Sequence, residues 1–477
     1  MSGSTLHADA CVVGAGAGGA VVAAELAEGG ANVVVLEQGP EHDPDRFTAR
    51  PPQMLARLYR GGGQTMTFGL PPIGLPLGRG IGGTTLINSG TCFRTPAHVL
   101  DRWRENFGLE LDDASLEPCF ERVERALSVG EVTPELAGQN AAVARRGAER
   151  LGWSHGYLKR NARGCVGSGV CAFGCPTSAK QHTGITYVPR ARAAGATVLT
   201  GADVRRVLVR GRRATGVLAA TGDGRELEVH APIVVIAAGT IHTPGLLARS
   251  AAGRVCGQLG RNLSLHPATA AVARMDETVD MARGVPQSFY VDEFAPDGIM
   301  LETIAGPPAY VAMSLPLTGP RHAEAMAAYP QLAQVGLMVS DSGRGSIHGL
   351  GRRPLIRYDL GRSEVEKFRA GIGKLDTLLR AAGAREVYLP LPARTDAAQA
   401  RARDLKLMAF HPLGTARAHA RPAHGVVDGD LAVHDVAGLY VADGSVVPSA
   451  PGVNPQLTIM ALATRLAYHL LGATCPS

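Results

Sequence analysis

Three cysteines stand close together in the segment GCVGSGVCAFGCPTSAK, residues 164–180: Cys165, Cys171 and Cys175. Their spacing matches the iron–sulfur ligand run C-x2-C-x2-C-x3-C-P except at the second position, which is Ser168. Three thiolates on a glycine-rich backbone could hold a [3Fe-4S] cluster, or a four-iron cluster with one other ligand. The segment also fits a reduced, buried turn that uses cysteine as a small apolar residue. Zinc is a weaker alternative, because no fourth ligand falls at the usual spacing, although His182 is close.

Glycines in the N-terminal region are spaced to bind a dinucleotide. An apolar strand runs into Gly14, Gly16 and Gly19, and an Ala-rich helix and a second strand ending at Glu37 follow. In such a unit Gly14 permits a tight turn, Gly16 lets the backbone approach a pyrophosphate, and Gly19 lets the helix pack closely. The helix N-terminus offers free N–H groups to phosphate. A carboxylate at Glu37 would accept hydrogen bonds from a ribose diol, so the motif predicts a dinucleotide site without separating FAD from NAD.

Four further segments resemble the glucose–methanol–choline (GMC) oxidoreductases, a family of FAD-dependent alcohol oxidases and dehydrogenases. They are GRGIGGTTLINSGTCFR at 78–94, IVVIAAGTIHTPGLLARSA at 233–251, LGRNLSLHP at 259–267, and a C-terminal block that begins with FHPLGTARAHA at 410–420 and continues through 425–467. Ala251 stands where the family usually has glycine. Residues 341–360 also resemble a strand pair of the family's substrate-domain sheet. The segments lie in the expected order along nearly the whole chain.

The resemblance implies an α/β (α+β) fold, with a Rossmann-type FAD-binding domain and a substrate domain built on a mostly antiparallel sheet flanked by helices. The implied FAD domain is discontinuous and comprises residues 1–100, 187–265 and 405–477. Residues 101–186 would form a cap that includes the cysteine-rich segment, and residues 266–404 the substrate-binding domain.

The resemblance also assigns FAD contacts. Asn88 would lie near the reactive edge of the isoalloxazine, and Asp443 with Gly444 would contact the diphosphate or the ribityl chain. The full set of implied contacts is Gly14, Gly16, Gly19, Glu37, Gly82, Gly83, Thr84, Asn88, Val204, Ala238, Asp443, Gly444, Asn454, Pro455 and Thr458.

Two residues carry the implied chemistry, in which an alcohol C–H is delivered as hydride to flavin N5. His411, in an H-x-x-G-T segment, would accept the hydroxyl proton, since the ordinary pKa of histidine is close to neutral pH. Asn454 would donate its amide N–H to the substrate oxygen. The alternatives are a structural histidine that caps the following turn and an asparagine that belongs to a turn before proline. Six other histidines are interpreted as surface or supporting residues: His242, His266, His419, His424, His434 and His469.

The region from about 275 to 338 is apolar and rich in methionine, which favours a hydrophobic or bulky alcohol as the small-molecule substrate. Electrons would leave to oxygen or to an electron-acceptor protein. One alternative is a cluster-bearing dehydrogenase that passes electrons to a protein or quinone. Another is a non-redox lyase of the same fold.

Composition argues against nucleic-acid-binding, membrane-spanning and disulfide-rich secreted proteins. The chain has 477 residues, is 45% hydrophobic and carries a formal charge of +6, with its arginines scattered, so no nucleic-acid partner is expected. No apolar run reaches the ~18 residues of a membrane span. No signal peptide is visible, and eight cysteines are too few for a disulfide scaffold. A cytoplasmic location is therefore expected.

Overall fold

The computed structural model describes residues 4–254, 257–349 and 353–475, without the side chain of Asp113. Within these residues the helices are α1 (Ala17–Glu28), α2 (Pro51–Leu58), α3 (Ala97–Phe107), α4 (Asp113–Ala126), α5 (Pro134–Ala137), α6 (Gln139–Leu151), α7 (Tyr187–Ala193), α8 (Thr243–Arg249), α9 (Pro308–Ser314), α10 (Gly319–Ala327), α11 (Arg362–Ala381) and α12 (Gln456–Leu470). The strands are β1 (Ser4–His7), β2 (Ala10–Val13), β3 (Val33–Glu37), β4 (Ile73–Gly74), β5 (Val129–Glu131), β6 (His155–Tyr157), β7 (Lys159–Asn161), β8 (Thr197–Thr200), β9 (Asp203–Arg210), β10 (Arg213–Ala220), β11 (Glu226–His230), β12 (Ile233–Ile236), β13 (Pro267–Arg274), β14 (Phe289–Val291), β15 (Ile299–Thr303), β16 (Leu332–Val339), β17 (Ser346–His348), β18 (Leu355–Arg357), β19 (Glu386–Tyr388), β20 (Leu407–Ala409) and β21 (Leu439–Val441).

A five-stranded parallel sheet, in the order β21-β12-β2-β3-β8, forms the first part of the fold. Strands β2 and β3 are buried along their whole length, as expected for central strands with helices on both faces. Helix α1 packs against α7 and α12. A Cβ at Gly18 would collide with the carbonyl oxygen of Ala442, so glycine lets α1 pack this closely against the chain after β21. A four-stranded sheet, β1-β11-β10-β9, joins the same hydrophobic core.

An eight-stranded sheet forms the second part. Its order is β4-β20-β13-β16-β15-β14-β6, with β19 also paired to β13, and every pairing except β4 with β20 is antiparallel. Helices α6 and α11 cover one face. Because side chains alternate along a strand, Leu301 and Leu337 belong to the core beneath α11, whereas Met300, Glu302 and Met338 point to the other face.

The expected combination of a Rossmann-type parallel sheet and a mostly antiparallel sheet is therefore confirmed. The strand pair expected in residues 341–360 is present as β17 and β18, and residues 350–352 of that segment lie outside the described part of the chain. The residue boundaries of the three proposed domains stay a prediction. In the described ranges, no helix combines the length and the apolar character needed to cross a membrane.

Candidate active site

A cavity of about 1030 Å³ is lined by residues from both large sheets. The loop after β2 and the end of β3 line one part of it, called here the dinucleotide wall. The face of β13, β15 and β16 that α11 does not cover lines another part, called the substrate wall. Most of the sequence-predicted site residues line this cavity: Gly14, Gly16, Glu37, Gly83, Thr84, Asn88, Val204, Ala238, His411, Asp443, Gly444, Asn454 and Pro455. Gly19, Gly82 and Thr458 do not line it.

The dinucleotide wall is shaped by its glycines. Gly14 has a φ of +104°, and a Cβ there would collide with the carbonyl oxygen of Ala237. Gly16 has more space around it than Gly14. The atom nearest to a Cβ at Gly16 would be the Cα of Gly83, at 3.8 Å, and Gly16 lines the cavity. Gly16 is also the N-cap of α1, and among the described residues no side chain bonds the free N–H groups of that helix terminus. Open backbone at a helix N-terminus fits the diphosphate of a dinucleotide such as FAD.

The predicted carboxylates on the dinucleotide wall already have partners. Glu37 accepts hydrogen bonds from the backbone N–H groups of Ala15 and Gly39, at 3.0 and 2.7 Å. Asp443 accepts from the Gly239 N–H, the Thr243 hydroxyl and the Ser445 N–H. Burial raises the pKa of both carboxyls, and these donors oppose that rise. Each carboxylate has further lone pairs for a ligand hydroxyl, and their partners hold the loops of this wall in place.

A buried lysine anchors the glycine loop that contains Gly82 and Asn88. The Lys180 ammonium donates to the carbonyl oxygens of Leu86, Asn88 and Cys171, at 2.9, 2.6 and 2.8 Å. Burial lowers the pKa of Lys180 to about 8. The Asn88 amide donates to the Gln456 side chain, which places this loop against the start of α12.

His411 belongs to a chain of hydrogen bonds that defines its tautomer. The backbone N–H of Gly452 donates to Nε2 of His266 at 3.1 Å, so the neutral His266 ring carries its proton on Nδ1. Nδ1 of His266 lies 3.2 Å from Nδ1 of His411 and donates to it. Neutral His411 then carries its own proton on Nε2. The structure places Nδ2 of Asn454 3.4 Å from this nitrogen, so the amide accepts that proton only when it is turned to present its oxygen. Burial holds the pKa of His411 well below its usual value, and His266 adds to this effect.

The position of His266 depends on Asp341. His266 has a φ of +48°, which is uncommon for a residue with a side chain. Such a backbone conformation persists only where the surrounding contacts stabilise it. The Asp341 carboxylate accepts from the N–H groups of Leu265 and His266 and from the hydroxyls of Ser264 and Tyr358. These bonds hold the turn that presents the His266 ring to His411. His266 is thus fully buried beside the predicted catalytic histidine and is not a surface residue.

Glu302 is the acidic residue of the substrate wall. Its Oε2 accepts from Gln287 Nε2 at 3.0 Å, and Oε1 has no hydrogen-bond partner among the described residues. Burial raises the pKa of Glu302 to about 7, and the neighbouring Asn454 side chain opposes that rise. Apolar side chains also line this part of the cavity, among them Ile304 and Met338.

The structure does not bring the three cysteines together as metal ligands, so it gives no support to the suggested [3Fe-4S] cluster. Cys171 Sγ accepts from Arg160 at 3.2 Å, Cys175 Sγ lies 3.5 Å from the Thr177 hydroxyl, and Cys165 packs at the edge of the second core. Over the described ranges, no three His, Cys, Asp or Glu side chains are grouped so that they could hold a metal ion. The glycines of this segment allow close packing against neighbouring backbone. A Cβ at Gly169 would collide with the carbonyl oxygen of Ala282.

Sequence reasoning missed Glu302, Gln287 and Lys180 as site residues. Glu302 stands alone in the apolar run IMLETIAGPP, so no local pattern marks it. Its relation to Asn454 arises only when β15 is placed beside the C-terminal loop. Lys180 was visible as the end of the cysteine-rich segment, but its three carbonyl partners come from separate turns.

Comparisons with known proteins agree with this architecture. Two family models described as GMC oxidoreductase match residues 55–268 and 343–463. The uncharacterized GMC-type oxidoreductase Rv0492c of Mycobacterium tuberculosis is 42% identical over 98% of this chain and 76% of its own length. The long-chain-alcohol oxidase FAO1 of Arabidopsis thaliana is 28% identical over 96% of this chain and 66% of its own length.

Among solved structures, formate oxidase of Aspergillus oryzae RIB40, studied for its FAD modification, superposes with a TM-score of 0.77. The sequence identity is 17%, with 98% of both chains covered, so this likeness concerns the fold. The family models and the 42% identical relative show that the chain belongs to the GMC oxidoreductase family and is an FAD-dependent oxidoreductase.

Proposed function

We propose that this chain oxidises the CH–OH group of an alcohol at the cavity wall formed by His411 and Asn454. The observation that carries the proposal is the position of these two side chains. They lie 3.4 Å apart, and both line the cavity that the glycines of the dinucleotide wall also line. Bound FAD supplies the two-electron acceptor for the hydride of the alcohol.

The side chains around the reacting group stabilise developing negative charge on the substrate oxygen. His411 offers its Nε2–H and Asn454 offers an amide N–H, and hydrogen bonds to charge that develops in a dry site are strong. His411 is half-buried at the wall of the cavity, so a bound substrate displaces the water that would compete for these donors. The expectation that His411 also accepts the hydroxyl proton requires a free lone pair on Nε2. The Gly452 N–H and His266 favour the tautomer with the proton on Nε2, and the other tautomer leaves that lone pair free to accept the hydroxyl proton.

The lining of the substrate wall supports a hydrophobic or bulky alcohol. Ile304, Tyr310, Met338 and Phe410 all line the cavity. The name of the Arabidopsis relative describes an oxidase of long-chain alcohols, which are substrates of the same chemical class. We therefore place long-chain and aromatic alcohols ahead of free sugars as substrates.

The test is reduction of the bound flavin without oxygen. The purified FAD-bound protein is mixed anaerobically with dodecanol or benzyl alcohol, and dodecane serves as the matched control without a hydroxyl group. The expected result is loss of the oxidised flavin absorption with an alcohol and not with dodecane. No loss with any alcohol, while dithionite still reduces the flavin, would contradict the proposal. Peroxide formation after air is admitted then distinguishes an oxidase from a dehydrogenase.

A further inference from the structure

The large apolar side chains that the protein exposes are concentrated on one face. Seven of the nine that are exposed in the described ranges are joined to one another by strand pairing or by the rim of the cavity. They are called here the mouth patch and are Met66, Phe68, Leu70, Met313, Leu355, Met408 and Phe410. Soluble proteins expose single apolar side chains freely, but a set of this size on one face indicates a surface that binds a partner.

A row of residues across the second sheet connects the mouth patch to the substrate wall. Met66 lies opposite Gly74, and Gly74 lies opposite Met408 on β20. Met408 lies opposite Ala268 on β13, which lies opposite Met338 on β16. Residues opposite one another on neighbouring strands share a face of the sheet, so the three methionines all lie on the face of the substrate wall. This methionine row runs from the exposed surface to buried Met338 and gives a hydrophobic molecule a continuous apolar path into the cavity.

The segment 66–70 forms the outermost part of the patch. Phe68 is 64% exposed and lies opposite Arg357 on β18, the strand that also carries Leu355. The backbone N–H of Phe68 donates to the carbonyl oxygen of Ile356, and its carbonyl oxygen accepts from the N–H of Tyr358. The backbone is therefore held while the aromatic ring stays in solvent. Apolar side chains presented in this way can enter the boundary between headgroups and acyl chains of a bilayer.

Cationic side chains accompany the patch. Lys406 lines the cavity, and its Nζ donates to the carbonyl oxygen of Met313 at 2.6 Å. Arg353 and Arg357 are exposed beside Leu355, and Arg357 also lies 3.3 Å from Asp359. The whole chain carries a formal charge of +6. Lysine and arginine beside an apolar surface add attraction to a bilayer that contains anionic lipids.

The position of the patch at the cavity favours lipid over a second copy of the chain as its occupant. Met313, Met408 and Phe410 both belong to the patch and line the cavity. A second copy seated on the patch would therefore cover the apolar path into the cavity. A bilayer covers the same side chains and leaves the path open to molecules that are dissolved in it, as long-chain alcohols are.

We propose that the mouth patch docks this protein on the surface of an anionic lipid bilayer, and that a hydrophobic alcohol passes from the lipid along the methionine row into the cavity. The delivery of an alcohol rests on the proposed function. The docking itself does not, so the two are tested separately.

Docking is tested by sedimentation of the FAD-bound protein with vesicles of phosphatidylcholine and phosphatidylglycerol. We expect the wild type to bind, and added salt to weaken the binding. The double variant Phe68→Ser/Leu70→Ser should lower the vesicle partition coefficient about 10–100-fold, because both side chains are exposed and neither lines the cavity. The control is Val209→Ser, since Val209 is exposed on β9 of the four-stranded sheet, and it should bind like the wild type. No binding by the wild type, or equal binding by the double variant, would overturn the proposal.

A fluorescence readout locates the contact. In Phe68→Trp, vesicles that contain brominated phosphatidylcholine should quench the added tryptophan, whereas in Val209→Trp the emission should stay as it is without vesicles. The wild type supplies the background from Trp103 and Trp153. Equal quenching of the two variants would show that the protein does not meet the lipid through the mouth patch.

Two further outcomes separate docking from its rivals. Light scattering that finds a dimer of the wild type, and a monomer of Phe68→Ser/Leu70→Ser, would show that the patch joins two copies and that the lipid proposal is wrong. For delivery, the double variant should slow anaerobic flavin reduction by vesicle-held dodecanol about tenfold and leave reduction by dissolved benzyl alcohol unchanged. Equal rates with vesicle-held dodecanol would exclude delivery from the lipid. If no alcohol reduces the wild-type flavin while the vesicles bind as expected, the proposed function fails and the docking stands.

Discussion

The dinucleotide wall of the cavity is formed mainly by backbone atoms, whereas the substrate wall is formed mainly by side chains. The dinucleotide wall is mainly backbone: Gly14 allows the close turn against Ala237, Gly16 has no side chain on its cavity side, and Glu37 holds the loop through the backbone N–H groups of Ala15 and Gly39. The substrate wall is made of side chains on strands that lie far apart in the chain. Glu302 on β15 meets Asn454 from the C-terminal segment.

This difference determines which substitutions each wall tolerates. A backbone site depends on the absence of side chains, so any Cβ in it interferes with binding while its neighbours can change freely. A side-chain site depends on a few polar atoms in an apolar surface, so one substitution can alter chemistry while the fold persists. Variants of the two walls should therefore fail in different ways.

The largest effect is expected for Gly16→Val. The valine side chain would enter the space beside the N-terminus of α1, where the diphosphate is expected to bind. We expect complete loss of FAD, so the purified protein should be colourless. A cooperative thermal unfolding transition should show that the variant is still folded. Gly130→Val is the control, since Gly130 lies in β5 and a Cβ there meets nothing within 4 Å. A yellow Gly16→Val protein would contradict the role of this glycine.

His411→Ala should have the next largest effect and should spare FAD binding. Loss of one donor to a developing oxyanion lowers rates about 10²–10³-fold, so we expect that decrease in the anaerobic reduction rate. His411→Gln restores an N–H donor and should recover part of the loss. An unchanged rate in His411→Ala would remove this residue from the chemistry.

Lys180→Met tests the anchor of the glycine loop. The change leaves the carbonyl oxygens of Leu86, Asn88 and Cys171 buried without their donor, and we expect the free energy of unfolding to fall by about 3 kcal/mol. Lys159→Met is the control, because Lys159 is exposed and should change stability by less than about 0.5 kcal/mol. Equal urea midpoints for the two variants would show that the three hydrogen bonds do not stabilise the fold.

The smallest effect is expected in the cysteine-rich segment. We expect Cys165→Ser to keep the visible spectrum of the wild type and to change stability by less than about 1 kcal/mol, since Cys165 is half-buried. Metal analysis of both anaerobically purified proteins should find no bound iron. Iron in the wild type that is lost from Cys165→Ser would restore the cluster interpretation.

The two walls also explain what the sequence could predict. Gly14, Gly16 and Glu37 lie within one strand–helix–strand unit, so their spacing in the sequence was enough to predict that they lie together at the end of the parallel sheet. His411 and Asn454 were recognised because motifs surround them, and the structure places both at the cavity.

Glu302 and His266 could not be recognised in this way. Their environment is created by strand pairing and by the Asp341 turn, which join residues far apart in the chain. The cysteine spacing left its role open for a related reason. Glycine-rich backbone suits a cluster, but it equally suits close packing, and here Gly169 lies against Ala282.

The central claim is that an alcohol carbon gives hydride to the flavin at the wall formed by His411 and Asn454. It is tested most directly by anaerobic flavin reduction with benzyl alcohol and with benzyl alcohol deuterated at the carbinol carbon. We predict that both reduce the flavin and that the deuterated alcohol does so more slowly, because C–H cleavage is part of the measured step. Failure of these and of long-chain alcohols to reduce the flavin would contradict the claim.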